Sequence, residues 1–249
     1  MKEMTFSTAS EQRLLFAWQR KIAVREDGFI GPASAVQTAV RLGVDDCWPL
    51  TLKLYSCPVI VCKDILPIAA KGKALSAYPN AISGSFAYND GSGPASILYA
   101  NGRDVRGLSC HYYDGLYPES VIYRTTDGRF GCERVQSVRA LAAYQAGKLA
   151  WAVGGMGLTD YNPKAEGFTG AFSDVLRKTN HTVLGIKDGM VYLCYMPNMT
   201  GASVQAKAKT FQFEHAIMLD GGHIAAINGD ETFARINRGQ KQQYIIQAR

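Results

Sequence analysis

The chain has 249 residues, of which 47% are hydrophobic and 19% charged, so it can bury a large core and is not a mainly disordered protein. Its 27 Lys and Arg exceed its 21 Asp and Glu, but the basic residues are scattered along the chain. Nucleic-acid-binding proteins usually concentrate basic residues, so we expect no specific nucleic-acid partner. No segment is long and apolar enough for membrane insertion, and the N-terminus lacks the apolar core of a signal peptide. We expect a protein made in the cytoplasm that acts there or, after release, on the cell envelope.

Residues 1–46 are predicted to form a small helical segment. Thr8 and Glu11 fit a capping box before one helical stripe, and a second stripe begins at Val36. The intervening turn DGFIGP resembles the second half of the peptidoglycan-binding domain of cell-wall hydrolases. The first helix of that domain is missing, so the segment must pack against the rest of the chain. We therefore expect a structural role for it ahead of wall binding.

The six cysteines form no CxxC pair. In the strand-like CPVIVC, Cys57 and Cys62 should point to opposite faces, so we expect reduced and mostly buried cysteines. No Cys/His cluster has the spacing of zinc ligands, and no cofactor is predicted. A calcium or magnesium ion held by Asp220 and backbone carbonyls is the alternative left open.

Residues 47–249 are predicted to form one domain, dominated by strands between glycine-containing turns. Hairpin turns are predicted at Asn101-Gly102, Asp127-Gly128 and Asp188-Gly189. Helices are predicted in VQSVRALAAYQAG, which Gly147 ends, and in SVQAKAKTFQFEH. The fold class is α+β, with an antiparallel-rich mixed sheet, flanking helices and the small N-terminal helical segment.

The stretch HAIMLDGGHIAAING ends an apolar strand with Asp220, Gly221 and Gly222. A carboxylate in this position is partly desolvated, so it must be capped, paired or used chemically. The glycines allow a sharp turn in which Asp220 binds backbone amides, and they equally allow a ligand to approach closely. This stretch alone leaves the turn and the functional site open.

The order of segments between residues 80 and 228 resembles the phosphodiester glycosidase family. The matching segments are AISGSFAY, HTVLGIKDGMVYL and AIMLDGG, with Gly84, Thr182 and Asp220-Gly221-Gly222 in register. The chain departs from the family at Ser83, His181 and His223, where Asn, Arg, and Gly or Ser are usual. The resemblance implies hydrolysis between a sugar anomeric carbon and a phosphodiester, through an oxocarbenium-like transition state.

This resemblance implies roles for individual residues. Asp220 is the predicted catalytic carboxylate, and His181 is predicted to donate to the phosphate, in which case activity should fall as pH rises through the pKa of His181. The alternative for His181 is a strand residue hydrogen-bonded to backbone. The predicted substrate-binding residues are Ser83, Gly84, Thr182, Gly221, Gly222 and His223.

A second carboxylate is expected if the reaction needs a general acid or base. Glu133 is the predicted residue because it lies in a strand that leads back to the sheet. Asp160, Glu119 and Asp114 are the other candidates, and a surface salt bridge is the alternative role for Glu133.

The predicted function is cleavage of a sugar–phosphodiester bond in a bacterial cell-envelope glycan, by a phage-type lytic or envelope-modifying protein. The peptidoglycan-binding-like segment motivates this substrate. One alternative is cytosolic cleavage of a nucleotide-linked sugar or a small phosphodiester signal. The other is a non-catalytic glycan- or nucleotide-binding protein that kept the pocket. The predicted partner is thus a sugar phosphate or a glycan.

Overall fold

The computed structural model describes residues 47–87, 95–100, 102–105 and 117–249, together with Ala9, Val36, Ala39, Val40 and Gly43. The strands of this part are β1 (Leu50–Leu54), β2 (Cys57–Cys62), β3 (Ile65–Ala74), β4 (Ala81–Ser83), β5 (Leu98–Ala100), β6 (Arg103–Asp104), β7 (Glu119–Thr125), β8 (Phe130–Val135), β9 (Leu149–Gly157), β10 (Thr179–Lys187), β11 (Met190–Met199), β12 (His215–Gly221), β13 (Ile227–Asn228), β14 (Arg235–Ile236) and β15 (Lys241–Ala248). The α-helices are α1 (Ala142–Gln145) and α2 (Gly201–Phe211), and short 3₁₀ helices cover Leu75–Ala77, Val138–Ala140, Gly170–Leu176, Gly222–Ile224 and Thr232–Ala234.

The strands form two sheets. The larger, ten-stranded sheet runs β1-β2-β11-β10-β12-β9-β5-β6, with β7 also paired to β9 and β8 paired to β7. The smaller, five-stranded sheet runs β14-β13-β4-β15-β3. All pairings among the described strands are antiparallel. The predicted α+β class with antiparallel-rich sheets is confirmed.

The predicted hairpins are present because their turn residues adopt left-handed backbone conformations. Between β10 and β11, Asp188 has φ 51° and Gly189 has φ 69°, the pattern of a type I′ turn. Gly128 has φ 91° between β7 and β8, and Gly102 has φ 76° between β5 and β6. Asn101 lies outside the described residues.

The two predicted helices are shorter than expected. The first is divided into the 3₁₀ helix Val138–Ala140 and α1, and Gly147 follows with φ 65°. The second, α2, begins after Thr200, whose hydroxyl accepts from the Ser203 amide at 3.2 Å, and ends at Phe211 because Gln212 is left-handed. The backbone then becomes extended, so β12 can begin only three residues after Gln212.

Apolar side chains fill both faces of the larger sheet. Between the two sheets, Leu184 and Ile217 pack in one core with Ile246 of the smaller sheet. On the other face, a second core contains residues of α2. Val36 and Ala39 are buried in this second core, whereas the remainder of the predicted N-terminal helical segment is mostly outside the described residues.

The cysteines of β2 separate as predicted, with Cys57 in the core beside α2 and Cys62 in the core between the sheets. The five described cysteines are all free thiols, and Cys110 is outside the described residues. Within the part of the chain that the structure covers, no helix has the length and apolarity to cross a membrane.

Candidate active site

A cavity of about 440 Å³ lies where the two sheets meet at one end. The larger sheet contributes the end of β12 and the beginning of β10. The smaller sheet contributes the beginning of β15 and the residues after β4. The described lining includes Gly84, Phe86, Arg177, His181, Leu219, Asp220, Gly221, Gly222, His223, Lys241 and Tyr244.

Asp220 is half-buried at the end of β12 and is the one carboxylate in the described lining of the cavity. Its Oδ1 accepts a hydrogen bond from the Gly221 amide at 2.7 Å. Its own amide donates to the Gly84 carbonyl at 3.1 Å, which connects β12 with the residue after β4. Asp220 therefore binds a backbone amide in the turn, as the first alternative expects, and it also lines the cavity.

Gly221 and Gly222 serve different purposes in this turn. A Cβ at Gly221 would lie 2.8 Å from the Asn180 carbonyl oxygen and 3.1 Å from His181 Nδ1, so β12 can approach β10 this closely only with glycine. Gly222 has φ 71°, a left-handed conformation that glycine adopts without strain. The two residues that follow Asp220 therefore add no side chain of their own to the cavity.

His181 is 1% exposed and lies beside Gly221 at the base of the cavity. Its Nε2 is 2.8 Å from the Met199 carbonyl, an acceptor, so Nε2 carries the proton. Burial lowers the pKa of the imidazole below 6.5 by more than the nearby carbonyls of Met199 and Arg177 raise it. His181 is therefore neutral at pH 7, and it has the backbone hydrogen bond of the alternative role rather than the charge expected of a phosphate donor.

Two cationic side chains of the cavity did not stand out in the sequence. Arg177, just before β10, has its Nη2 4.0 Å from the position of a Cβ at Gly222. Lys241 is the first residue of β15. Both side chains are exposed, and neither makes a hydrogen bond or ion pair within the described part of the chain. Their position in the cavity could not be predicted from the local sequence, because it depends on how the strands of the two sheets pair.

Two of the predicted substrate-binding residues, Ser83 and Thr182, form hydrogen bonds with backbone groups in the interior of the fold. The Ser83 hydroxyl donates to the Ile224 carbonyl at 2.6 Å and accepts from the Ala226 amide at 2.8 Å. The Thr182 hydroxyl donates to the Asp220 carbonyl at 2.9 Å. Both residues are 0% exposed, and neither lines the cavity. Their contacts support structural roles, whereas Gly84 and the exposed His223 do line the cavity.

The candidate second carboxylates do not reach the cavity. Glu133 lies on the β7–β8 hairpin, where its Oε1 accepts from the Tyr123 hydroxyl at 2.6 Å and its Oε2 accepts from the Ala142 amide at 3.3 Å. Asp160 has an 89% exposed side chain, and Glu119 is fully buried against the Ile97 amide. Asp114 is outside the described residues. Glu133 thus has hydrogen-bond partners in the fold and does not line the cavity, and its catalytic role stays a prediction.

The site offers little for a metal ion among the described residues. No cluster of three or more His, Cys, Asp and Glu side chains is present in this part of the chain. Asp220 could contribute one carboxylate to a calcium or magnesium ion, but such ions take six or more oxygen ligands or several waters.

The fold is similar to that of a solved glycosidase catalytic domain. The catalytic domain of zebrafish N-acetylglucosamine-1-phosphodiester alpha-N-acetylglucosaminidase, solved in a form auto-inhibited by its pro-peptide, matches with a TM-score of 0.57. The match covers 80% of each chain at 15% identity. At this identity the likeness establishes a distant relationship of fold.

Two further solved structures match less well. A hypothetical protein from Synechocystis has a TM-score of 0.41 at 13% identity, over 79% of this chain and 60% of that one. A putative exported protein from Burkholderia pseudomallei K96243 has a TM-score of 0.29 at 15% identity, over 76% of this chain and 53% of that one. No protein-family model and no curated protein sequence matches the chain.

Proposed function

We propose that this chain is a hydrolase that cleaves the bond between the anomeric carbon of a sugar and a phosphodiester. The observation that carries the proposal is the Asp220 carboxylate, which lines a cavity at a strand end in a fold shared with a phosphodiester glycosidase domain. Val175, Ile224 and Tyr244 are half-buried residues of the same lining, and their apolar surface forms a wall that suits the less polar face of a sugar ring.

In this mechanism Asp220 faces the anomeric carbon and stabilises the positive charge that develops there. The Gly221 amide holds one carboxylate oxygen, which fixes the orientation of the group before the substrate binds. The departing phosphate monoester is already a stable anion, so it needs less protonation than an alkoxide. A single carboxylate in the described lining is therefore compatible with the reaction.

The proposed substrate is a phosphodiester-linked polymer of the bacterial cell envelope, of the teichoic-acid type. The peptidoglycan-binding-like turn in residues 1–46 supports this choice. A nucleotide-linked sugar has the same bond between an anomeric carbon and a phosphate oxygen, so it is the second substrate to test.

The test is release of free sugar from purified envelope polymers, UDP-N-acetylglucosamine and simple sugar-1-phosphodiesters. Asp220→Asn should lower kcat by about 100-fold or more, because it removes the charge that stabilises the transition state. Asp160→Asn is the matched control, since its side chain is 89% exposed and outside the cavity. Glu133→Gln should also retain turnover, because its carboxylate is held by Tyr123.

The outcomes separate an enzyme from a binding protein. Sugar release that is lost in Asp220→Asn and retained in Asp160→Asn supports the hydrolase and identifies its substrate class. Binding of these ligands by the wild-type protein without release of sugar would contradict the hydrolase and support the non-catalytic binding protein.

A further inference from the structure

The cavity beside Asp220 is positively charged in its described lining. Arg177 and Lys241 contribute two positive charges against the single carboxylate, and neither cation has an ion-pair partner among the described residues. His181 adds no charge at neutral pH, because burial lowers its pKa. Unpaired cations around a concave surface attract anions to it.

The two cations come from different sheets. Arg177 immediately precedes β10 of the larger sheet, and Lys241 begins β15 of the smaller sheet. Both sheets are fixed here through Gly84, whose carbonyl accepts from the Asp220 amide and whose own amide donates to the Tyr244 carbonyl at 2.9 Å. These hydrogen bonds join the two sheets at the end of the cavity that Arg177 and Lys241 line.

Arg177 lies close to the Gly221-Gly222 turn. Apart from the two chain neighbours of Gly222, its Nη2 is the one described atom within 4.0 Å of the position of a Cβ at Gly222. An arginine presents a planar fork of donors that fits two phosphate oxygens, whereas a lysine acts as a compact point charge. Both kinds of phosphate donor are therefore present in the lining of this cavity.

We infer that Arg177 and Lys241 together bind the phosphate of the substrate, with Arg177 beside the Gly221-Gly222 turn and Lys241 on the opposite sheet. This assignment rests on the proposed function and names the residues that recognise the phosphate. It replaces His181, which is neutral and buried, as the source of positive charge. The sugar is then placed against Asp220 and the apolar wall.

Binding measurements test this assignment without turnover. Calorimetric titrations would use N-acetylglucosamine 1-phosphate, inorganic phosphate and neutral N-acetylglucosamine. Arg177→Ala and Lys241→Ala should each weaken binding of both phosphate probes by about 3- to 10-fold, because each removes one partly solvated charged contact. Affinity for the neutral sugar should not change.

Neighbouring cations provide matched controls for the change in net charge. Lys178→Ala removes an exposed charge next to Arg177, and Lys73→Ala removes one from the strand paired with the beginning of β15. Neither residue lines the cavity. The phosphate affinity of the wild type and of both controls should fall with added salt more steeply than that of Arg177→Ala/Lys241→Ala.

The results also distinguish this assignment from the proposed function. If the Arg177 and Lys241 variants bind N-acetylglucosamine 1-phosphate as tightly as the Lys178 and Lys73 controls, the assignment is wrong even when Asp220→Asn abolishes turnover. If no phosphodiester is cleaved but phosphate binding depends on both residues, the proposed hydrolase is wrong and the phosphate site stands. An equal loss of affinity for the neutral sugar would indicate a distorted cavity and would overturn the assignment.

Discussion

His181 shows how burial changes what a residue can contribute. In a solvated site, a histidine near pH 7 can carry a charge and donate from both nitrogens. At 1% exposure, this imidazole is neutral and uses Nε2 to hold the Met199 carbonyl at 2.8 Å. Nδ1 has no hydrogen-bond partner among the described residues. Its chemistry therefore concerns the stability of β10 more than recognition of an anion.

This state of His181 predicts a specific pH dependence of stability. Its folded pKa is below 6.5, so the unfolded chain binds a proton more readily, and the stabilisation present above pH 6.5 is lost as pH falls through the folded pKa. His181→Gln preserves a donor near Met199 but does not titrate. Urea unfolding between pH 5 and 7.5 should show a smaller loss of unfolding free energy at acid pH in this variant.

The control for this experiment is His223→Gln, at an exposed histidine of the same cavity. An equal flattening of the pH profile in both variants would contradict the assignment to His181. Activity measured over the same range should not decrease as pH rises through the pKa of His181, in contrast to the expectation for a charged phosphate donor.

Among individual residues, the sequence predicted those whose position depends on their immediate neighbours in the chain. Asp220-Gly221-Gly222 is recognisable because a carboxylate and two glycines follow an apolar strand. Ser83 and Thr182 were placed in the substrate site, but the register of β4 and β10 directs both hydroxyls to backbone carbonyls. Arg177 and Lys241 were missed because pairing between distant strands brings them together.

Among the secondary-structure elements, β7 and β9 enclose a buried acidic side chain. Glu119 begins β7, is 0% exposed and accepts from the Ile97 amide at 2.6 Å through Oε1, while Oε2 has no hydrogen-bond partner among the described residues. Its carboxyl lies against Gly154 of β9, where a larger residue would collide with it. Desolvation raises the pKa of Glu119 well above 4.5, and nearby Glu166 raises it further.

Glu119→Gln is therefore expected to stabilise the fold at neutral and alkaline pH. Because the folded pKa is raised, the stabilisation by the wild-type carboxyl is complete below about pH 4.5 and is lost as pH rises through the folded value. The glutamine keeps an acceptor for Ile97 and carries no charge. The difference in unfolding free energy between variant and wild type should increase from pH 4.5 to 8.

Asp160→Asn is a suitable control because it neutralises a carboxylate whose side chain is 89% exposed. A variant less stable than the wild type at every pH would show that the amide does not fit between β7 and β9. That result would contradict the prediction, since the advantage of a neutral side chain should grow with pH.

The hairpins were predictable because their turns are set by two adjacent residues, as at Asp188-Gly189. The C-terminal end of α2 was harder to predict. The helical sequence pattern continues into FQFEH, whereas the helix ends at Phe211 and β12 begins at His215. The pairing of β12 with both β9 and β10 imposes that change. Tertiary contacts override local helix propensity at this position.

For the whole molecule, the main issue is whether residues 1–46 form a separate unit. Val36 and Ala39 are buried at 0% and 1% in the same core as Leu52 of β1 and Phe211 of α2. An independent domain joined by a linker would not be expected to share a core in this way. The sequence predicted that this segment packs against the rest of the chain. The strand order and the residues that share the core could not be read from it, because both depend on contacts between distant segments.

Removal of residues 1–46 should consequently lower the thermal midpoint of the remaining chain. Fully burying a valine contributes about 1.5–3 kcal/mol, so loss of Val36 and its neighbour leaves apolar surface exposed on β1 and α2. Within the full chain, Val36→Ala should cost about 1.5 kcal/mol of unfolding free energy, and Val40→Ala, at a half-buried position, should cost less. Thermal and urea unfolding of the 47–249 chain, Val36→Ala, Val40→Ala and the wild type would measure these differences in midpoint and unfolding free energy. If the 47–249 chain unfolds at the wild-type midpoint, the first 46 residues are a separable module, and their role must lie in binding rather than in completing the core.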